Sequence, residues 1–339
     1  MTLCTRAATV PRFIAPVIRL RRLQTQDTTA FFNALSEASA LGIPLPDVVP
    51  DVVVVGDQSS GKTTVIIEAL AGGHKIFQTG MKMATMKPHH IKTIRSSEVK
   101  FKVGEKEFRA EQQTADEITR VNNNTHVENV NATIWSPRVY NLSFIDTPGT
   151  FAFGGKNNVA LPKKIKDQIG KLLEKSNYII CLIHSGSVDI ATDHAFKLII
   201  KYGRLENTIG IFSKMDLLDK QDIAFVKDLI EGEKEEYKEY IPFYGWHCLS
   251  LRSDKDIAQG VTAEEKAKQE KELLNRMGLP GGVEAVKRSL SNILFSKIKD
   301  QAPAIIKGFD TQIEGLKVPL SFLHDLITND QKKFAGRLS

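Results

Sequence analysis

Runs of β-branched and other apolar residues recur along this chain with room for one helix between successive runs. "DVVPDVVVVG" predicts a short buried strand that stops at Gly56, and apolar strands follow at "NLSFID", "NYIICLIH", "NTIGIFS" and "PFYGWHCLS". Their apolar positions are nearly continuous, as in strands covered on both faces of a parallel sheet. Helical spacing predicts helices around 161 to 176, 193 to 202 and 222 to 239. The result is the β/α alternation of an α/β fold with a mostly parallel, doubly wound sheet. Ahead of the first strand, Phe31, Phe32, Leu35 and Leu41 fall at helical spacings before Gly42 and two prolines end the run.

The stretch from 85 to 145 departs from this rhythm. "IKTIRSSEVKFKVGEKEF" and "ENVNATIWSPRVYNLSFI" predict additional strands around a polar helix at 111 to 122. After Pro280, residues 283 to 300 and 303 to 317 read as two further helical runs, and the last twenty or so residues follow no clear pattern. No internal repeat is present. The expected organisation is a basic leader at 1–26, one elaborated nucleotide-binding domain with flanking helices at 27–317, and a short tail at 318–339.

Composition narrows the class. A chain of 339 residues with 42% hydrophobic content can bury the core of one large domain or two ordinary ones. Cys4, Cys181 and Cys248 show no metal-ligand spacing and read as separate thiols. No run of 18 apolar residues predicts a spanning helix. The net charge of +6 is concentrated at one end: residues 1–26 hold Arg6, Arg12, Arg19, Arg21 and Arg22 and no acid. The rest is nearly neutral, which gives no support for a specific nucleic-acid surface. The leader, with Phe13, Ile14, Val17, Ile18 and Leu20 among its arginines, has the composition of a mitochondrial transit peptide, although Pro11 and Pro16 interrupt a helix there. The alternative is a disordered basic tail on a cytoplasmic or peripherally membrane-bound protein.

Three motifs carry chemistry. "GDQSSGKTT", Gly56 to Thr64, has the G-x-x-x-x-G-K-T spacing between a buried strand and the helix "TTVIIEALAGG". Such a loop turns consecutive N–H groups inward around a phosphate: Gly56 and Gly61 allow the tight path, Lys62 reaches the terminal phosphates and Thr63 offers a hydroxyl to Mg²⁺. "FIDTPG" ends an apolar strand in Asp146, placed to hold Mg²⁺ through water, and Gly149 leaves its N–H free to approach a γ-phosphate. "FSKMD" supplies Asp216, whose carboxylate can accept both hydrogens of the N1–H and 2-amino edge of guanine. Adenine offers no such pair. The aliphatic stem of Lys214 would lie over the base.

Together with "GMKMATMKP" at 80–88 and "LRSDKDI" at 251–257, these residues resemble the dynamin superfamily of large GTPases over roughly 27–317. The Gln-Ser of "GDQSSGKTT" is more specific than a general phosphate loop. The resemblance implies a P-loop fold with dynamin-type insertions, binding GTP and GDP through Gly56, Asp57, Gln58, Ser59, Ser60, Gly61, Lys62, Thr63, Thr64, Gly149, Lys214, Asp216 and Arg252. It implies that Thr63, Thr85 and Asp146 serve Mg²⁺, that Gln58 orients the attacking water, that Ser59 helps bind a monovalent cation, Na⁺ or K⁺, and that Thr85 closes switch I. The implied partners are a second copy meeting through the GTPase domain, or a full-length dynamin-like protein, with peripheral membrane association. Three positions depart from the family: Thr147 for the common leucine, Ser213 for threonine, and Leu251 where many dynamins carry asparagine near guanine. Dynamins also continue into a helical stalk, of which the residues after 317 are too few to form an equivalent.

Other conspicuous residues have plainer expectations. His89 and His90 read as surface histidines, Trp135 and Trp246 as core anchors, and "EGEKEEYKEY" and "EEKAKQEKELLNRMG" as solvated helix faces. "TFAFGGKNN" at 150–158 reads either as switch II or as an ordinary flexible loop. The functional alternatives are a GTPase stimulated by dimerisation and a non-catalytic GTP-binding regulator of a full-length relative. A metabolite kinase has little use for "DTPG" and "SKMD" together.

Overall fold

The valine run Val52–Val55 (β1) is buried along its whole length, with a strand paired on each side of it and helices packed on the face that carries Val53 and Val55. In this computed structural model the described residues are 34–35, 49–77, 85, 87–124, 126–150, 161–232 and 234–335, without the side chains of 161, 254, 313 and 315–335. The leader, most of the first expected helix, all but Thr85, Lys87 and Pro88 of 80–88, and all but Thr150 of 150–158 lie outside them.

Among the described residues nine strands form one sheet: β1, His89–Arg95 (β2), Lys100–Val103 (β3), Lys106–Phe108 (β4), Val130–Ser136 (β5), Leu142–Asp146 (β6), Ile179–Ser185 (β7), Thr208–Ser213 (β8) and Trp246–Cys248 (β9). Their order is β4-β3-β5-β2-β6-β1-β7-β8-β9. The five strands from β6 to β9 are parallel, as the apolar runs predict. The added strands extend the sheet beyond β6, where β2 pairs antiparallel to β6 and parallel to β5. Helices Lys62–Val65 (α1), Glu111–Asn123 (α2), Leu161–Leu173 (α3), His194–Lys201 (α4), Lys220–Glu231 (α5), Asp254–Ala258 (α6), Ala263–Met277 (α7) and Val283–Ala335 (α8) complete the described elements.

The chain divides into two compact units, residues 50–294 and a second drawn from 1–49 and 295–339. Within the first, Val53, Val55, Ile145, Ile180 and Leu182 pack with Ile165, Ile169 and Leu173 of α3 and with Phe196 and Ile199 of α4. Phe212 stacks on Trp246, ring centroids 4.1 Å apart, so Trp246 is the expected core anchor. Trp135 is not: it is half-buried on β5 with the Lys100 ammonium 4.4 Å from its ring centre. Among the described residues no helix is long and apolar enough to cross a membrane. Cys181 and Cys248 are buried free thiols, both pushed up to about 12 chiefly by burial.

Two helical expectations change. The helix expected to 239 ends at Glu231, because Gly232 takes a left-handed conformation (φ 64°) and its N–H closes on the Asp228 carbonyl. Glu235–Tyr240 follows as a 3₁₀ turn with no buried residue. The two runs after Pro280 are one helix, α8, which passes through Pro303 and continues beyond 317 to Ala335. Proline removes one helical hydrogen bond, yet Ile298, Ala302, Ile305 and Phe309 around it are all buried.

The two adjacent histidines are not surface residues. His89 is only 4% exposed, and its Nε2 lies 3.2 Å from Asn122 Oδ1. His90 is half-buried on the sheet face it shares with Ile145, and burial, with the charges of Lys175, Lys92 and His89 behind it, holds its imidazole down at about 4. Lys92 faces Asp51 in the same cluster, where burial raises the carboxyl to about 6. His90 stays neutral in the fold while the unfolded chain protonates near 6.5, so its contribution is full above 6.5 and is lost as pH falls towards 4. That contribution is at most about 3 kcal/mol. His90→Asn should flatten this part of the acid-stability curve, as measured by denaturant unfolding at pH 7 and 4.5. An unchanged slope would contradict the assignment.

Candidate nucleotide site

The parallel strands all end at one edge of the sheet, where the motifs stand: Gly56 follows β1, Asp146 closes β6, Ser213 closes β8, and Leu249 and Ser250 follow β9. Crevices outside the carboxyl ends of such strands are the usual ligand sites of open α/β sheets. The pairing of β1 with β6 is resumed beyond the strands by a bridge between Asp57 and Thr150. Gln58 N donates to the Thr150 carbonyl (2.8 Å), and Thr150 N donates to the Gly56 carbonyl (3.2 Å). The phosphate loop and the residue after "DTPG" are thus laced together.

Gly61 stands at the start of α1 with φ 84°, a conformation that side chains rarely adopt. Gly149 approaches the loop so closely that a Cβ there would lie 3.1 Å from Gln58 Cα. Gln58 and Ser59 are exposed, and Ser59 is itself left-handed (φ 65°). Its carbonyl receives Lys214 Nζ (2.7 Å), while the Ser60 carbonyl receives Ser213 Oγ (2.5 Å). Ser60 Oγ is buried without a partner. Thr63 and Thr64 are half-buried on α1, which passes directly into a π-helical turn, Ile66–Leu70.

Lys62 and Asp146 are both buried, with Nζ 3.0 Å from Oδ1. The other carboxylate oxygen receives Thr85 Oγ1 (2.9 Å). The structure therefore brings together Lys62, Thr85 and Asp146, which lie far apart in sequence. The donors offered by Thr63, Thr85 and Asp146 are hard oxygens, one carboxylate and two hydroxyls. That set suits Mg²⁺, which binds few protein groups and keeps sites for water and phosphate oxygens.

At the end of β8, Asp216 is exposed, and Ser250 Oγ donates to its Oδ1 (3.0 Å). Lys214 is left-handed (φ 59°), which turns the chain sharply between Ser213 and Asp216. Arg252 takes a place that the motif alone does not reveal. Its guanidinium grips Glu68 in the π turn with contacts of 2.7 and 2.8 Å from Nη2, and its Nη1 donates to the Val261 carbonyl. Arg252 thereby fastens the loop that carries Ser250 to the helix that follows the phosphate loop.

The motifs do not point to Ser250 or Glu68, and Thr150 is marked only as the first residue of the 150–158 loop. Ser250 could have been suspected as a hydroxyl just past an apolar strand, whereas Glu68 and Thr150 carry no signal in spacing. Asp57, expected at the nucleotide, directs its carboxylate to α4: Oδ2 receives His194 N (3.1 Å) and lies 3.0 Å from His194 Nδ1, and Oδ1 receives Ala195 N (3.1 Å) and the Thr150 hydroxyl.

A family model described as the dynamin family matches residues 52–215. An interferon-induced GTP-binding protein Mx from Perca fluviatilis is 30% identical over 262 residues, covering 72% of this chain and 83% of that protein. Dynamin-related protein 12A from Glycine max is 28% identical over 310 residues (84% of this chain, 48% of that protein). Dynamin-1 from Rattus norvegicus is 26% identical over 306 residues, with coverages of 85% and 34%. The chain thus spans about half the plant relative's length and a third of the rat relative's.

Proposed function

Because the chain belongs to the dynamin family, we propose that it binds GTP and GDP and hydrolyses GTP to GDP and phosphate, faster when two copies meet through their GTPase domains. The observation that carries this reading is the meeting of Lys62, Thr85 and Asp146 beside a glycine-bounded loop, with Asp216 and Ser250 on the same sheet edge. Mg²⁺, held through Thr63, Thr85 and Asp146, would neutralise charge that develops on the phosphate oxygens.

The chain's own groups divide the remaining work. Backbone N–H groups of residues 57–64 cradle the phosphates and Lys62 moves from Asp146 to the terminal phosphates. Gly149 brings its N–H towards the γ-phosphate. Asp216 accepts the guanine edge, with Lys214 along the base and Arg252 behind the neighbouring loop. Gln58 orients the attacking water and Ser59 contributes to a site for Na⁺ or K⁺. Most of the acceleration comes from alignment and charge stabilisation, since phosphoryl transfer asks little covalent chemistry of a protein. Association with a full-length dynamin-like protein or a membrane surface, and mitochondrial import through residues 1–26, belong to the same reading.

Gln58→Ala should keep GTP affinity within about threefold and lose at least about a hundredfold in turnover, the scale of a misaligned reactant. Nucleotide titration and phosphate release, run in parallel, measure both. Normal turnover in the variant would remove the water-positioning role. Tight binding without turnover in the unsubstituted protein would favour the non-catalytic regulator.

A further inference from the structure

We propose that His194 is a positioning residue for hydrolysis, which acts by fixing the Asp57 carboxylate and, through it, the Gln58–Ser59 segment of the phosphate loop. The inference rests on the roles just given to Gln58 and Ser59. Helix α4 already has its own cap: Asp193 accepts from Phe196 N (2.7 Å). Asp57 arrives from far along the chain and takes the two preceding amides, His194 N and Ala195 N, so two carboxylates occupy one helix start. Such a position favours negative charge. The His194 ring adds a third contact, with Nδ1 3.0 Å from Asp57 Oδ2, and the Thr150 hydroxyl adds a fourth.

The consequence falls on the next two residues. Ser59 is held left-handed, a conformation that a non-glycine residue keeps only where its surroundings impose it. Lys214 restrains it on one side, at its carbonyl, and Asp57 on the other. Ser60 N also donates to the Asp57 carbonyl (3.0 Å), so a displaced Asp57 would disturb the turn directly. Asp193, beyond its cap, holds the buried His184 (2.7 Å), whose carbonyl receives Ser213 Oγ (3.2 Å). The α4 start is therefore tied both to the phosphate loop and to the strand that carries Lys214 and Asp216.

The nearest plain alternative is that His194 only supports folding. The two differ in where a substitution is felt. His194→Ala should lower kcat about tenfold or more while GDP affinity moves less than about threefold, because loop alignment is lost and the cradle is kept. His194→Asn, whose side-chain N–H can replace Nδ1–H, should restore kcat to within about threefold. Asp57→Asn combined with His194→Ala should be no worse than Asp57→Asn alone, as expected for groups that act through one contact. Hydrogen exchange in the absence of nucleotide supplies a readout independent of turnover: the amides of Gln58 and Ser60 should lose protection in His194→Ala and regain it in His194→Asn. Unchanged exchange at these amides, or additive effects in the double variant, would overturn the proposal. If the unsubstituted protein fails to hydrolyse GTP, the functional reading fails, and the exchange experiment still decides whether His194 positions the loop.

Discussion

Lys62→Ala is expected to abolish measurable binding of guanine nucleotides, a loss of at least about a hundredfold. The Lys62 ammonium is buried and paired with Asp146, and in the proposed function it turns from there to the terminal phosphates. Its removal would withdraw that cation and leave the Asp146 carboxylate buried with the Thr85 hydroxyl. Breaking a buried pair in this way also costs about 3–5 kcal/mol of stability, so lost binding could reflect a weakened fold. The second substitution separates the two effects. Lys62→Ala with Asp146→Asn removes the orphaned charge and should recover most of the unfolding midpoint, with affinity still absent. A single variant that binds GDP as the unsubstituted protein does would remove Lys62 from the phosphate site.

Asp216→Asn should reverse part of the base preference. Guanine donates two hydrogens from its N1–H and 2-amino group to a carboxylate, whereas xanthine carries an oxygen at the second position and needs a donor there. An asparagine offers one acceptor and one donor. GTP affinity should therefore fall about a hundredfold or more while xanthosine triphosphate gains, since a polar site built for one pattern leaves groups unpaired with another. Ser250 should hold the asparagine oxygen in the place of Oδ1, where it already donates 3.0 Å from its Oγ. Competition against a labelled nucleotide gives both affinities. An unchanged ranking of GTP, ATP and xanthosine triphosphate would contradict the assignment of Asp216.

The elements most legible in the sequence are those whose burial leaves the least choice. β1, β7 and β8 are buried at every position, and a continuous apolar run of that length has few other uses. The turn from β1 into α1 was legible because its spacing reflects a covalent path: glycines for close backbone approach, then a lysine and a hydroxyl on the first helical turn. Asp146 closes one apolar strand and Asp216 stands three residues past another, so their placement at the edge where parallel strands deliver their carboxyl ends could be read from the sequence.

What escaped depends on contacts that local pattern does not encode. The loop spacing gives no sign that the Asp57 carboxylate has its partners at His194 and Ala195. The motif around Arg252 likewise gives no sign of its grip on Glu68. His89 was expected at the surface, yet its ring stacks on Phe77 and meets Asn122 of α2, partners distant in sequence that bury it. The break expected between residues 300 and 303 does not occur: α8 runs through Pro303, and Ile298, Ala302, Ile305 and Phe309 along it are buried.

The most direct test of the central claim is phosphate release from GTP and from ATP with Mg²⁺, over a range of protein concentrations, in K⁺ or Na⁺ and in a larger cation that cannot replace them. The account predicts release from GTP with little from ATP, a specific activity that rises with protein concentration, and dependence on the smaller cation. Equal release from both nucleotides, or a rate per molecule that is flat with concentration and indifferent to the cation, would contradict it.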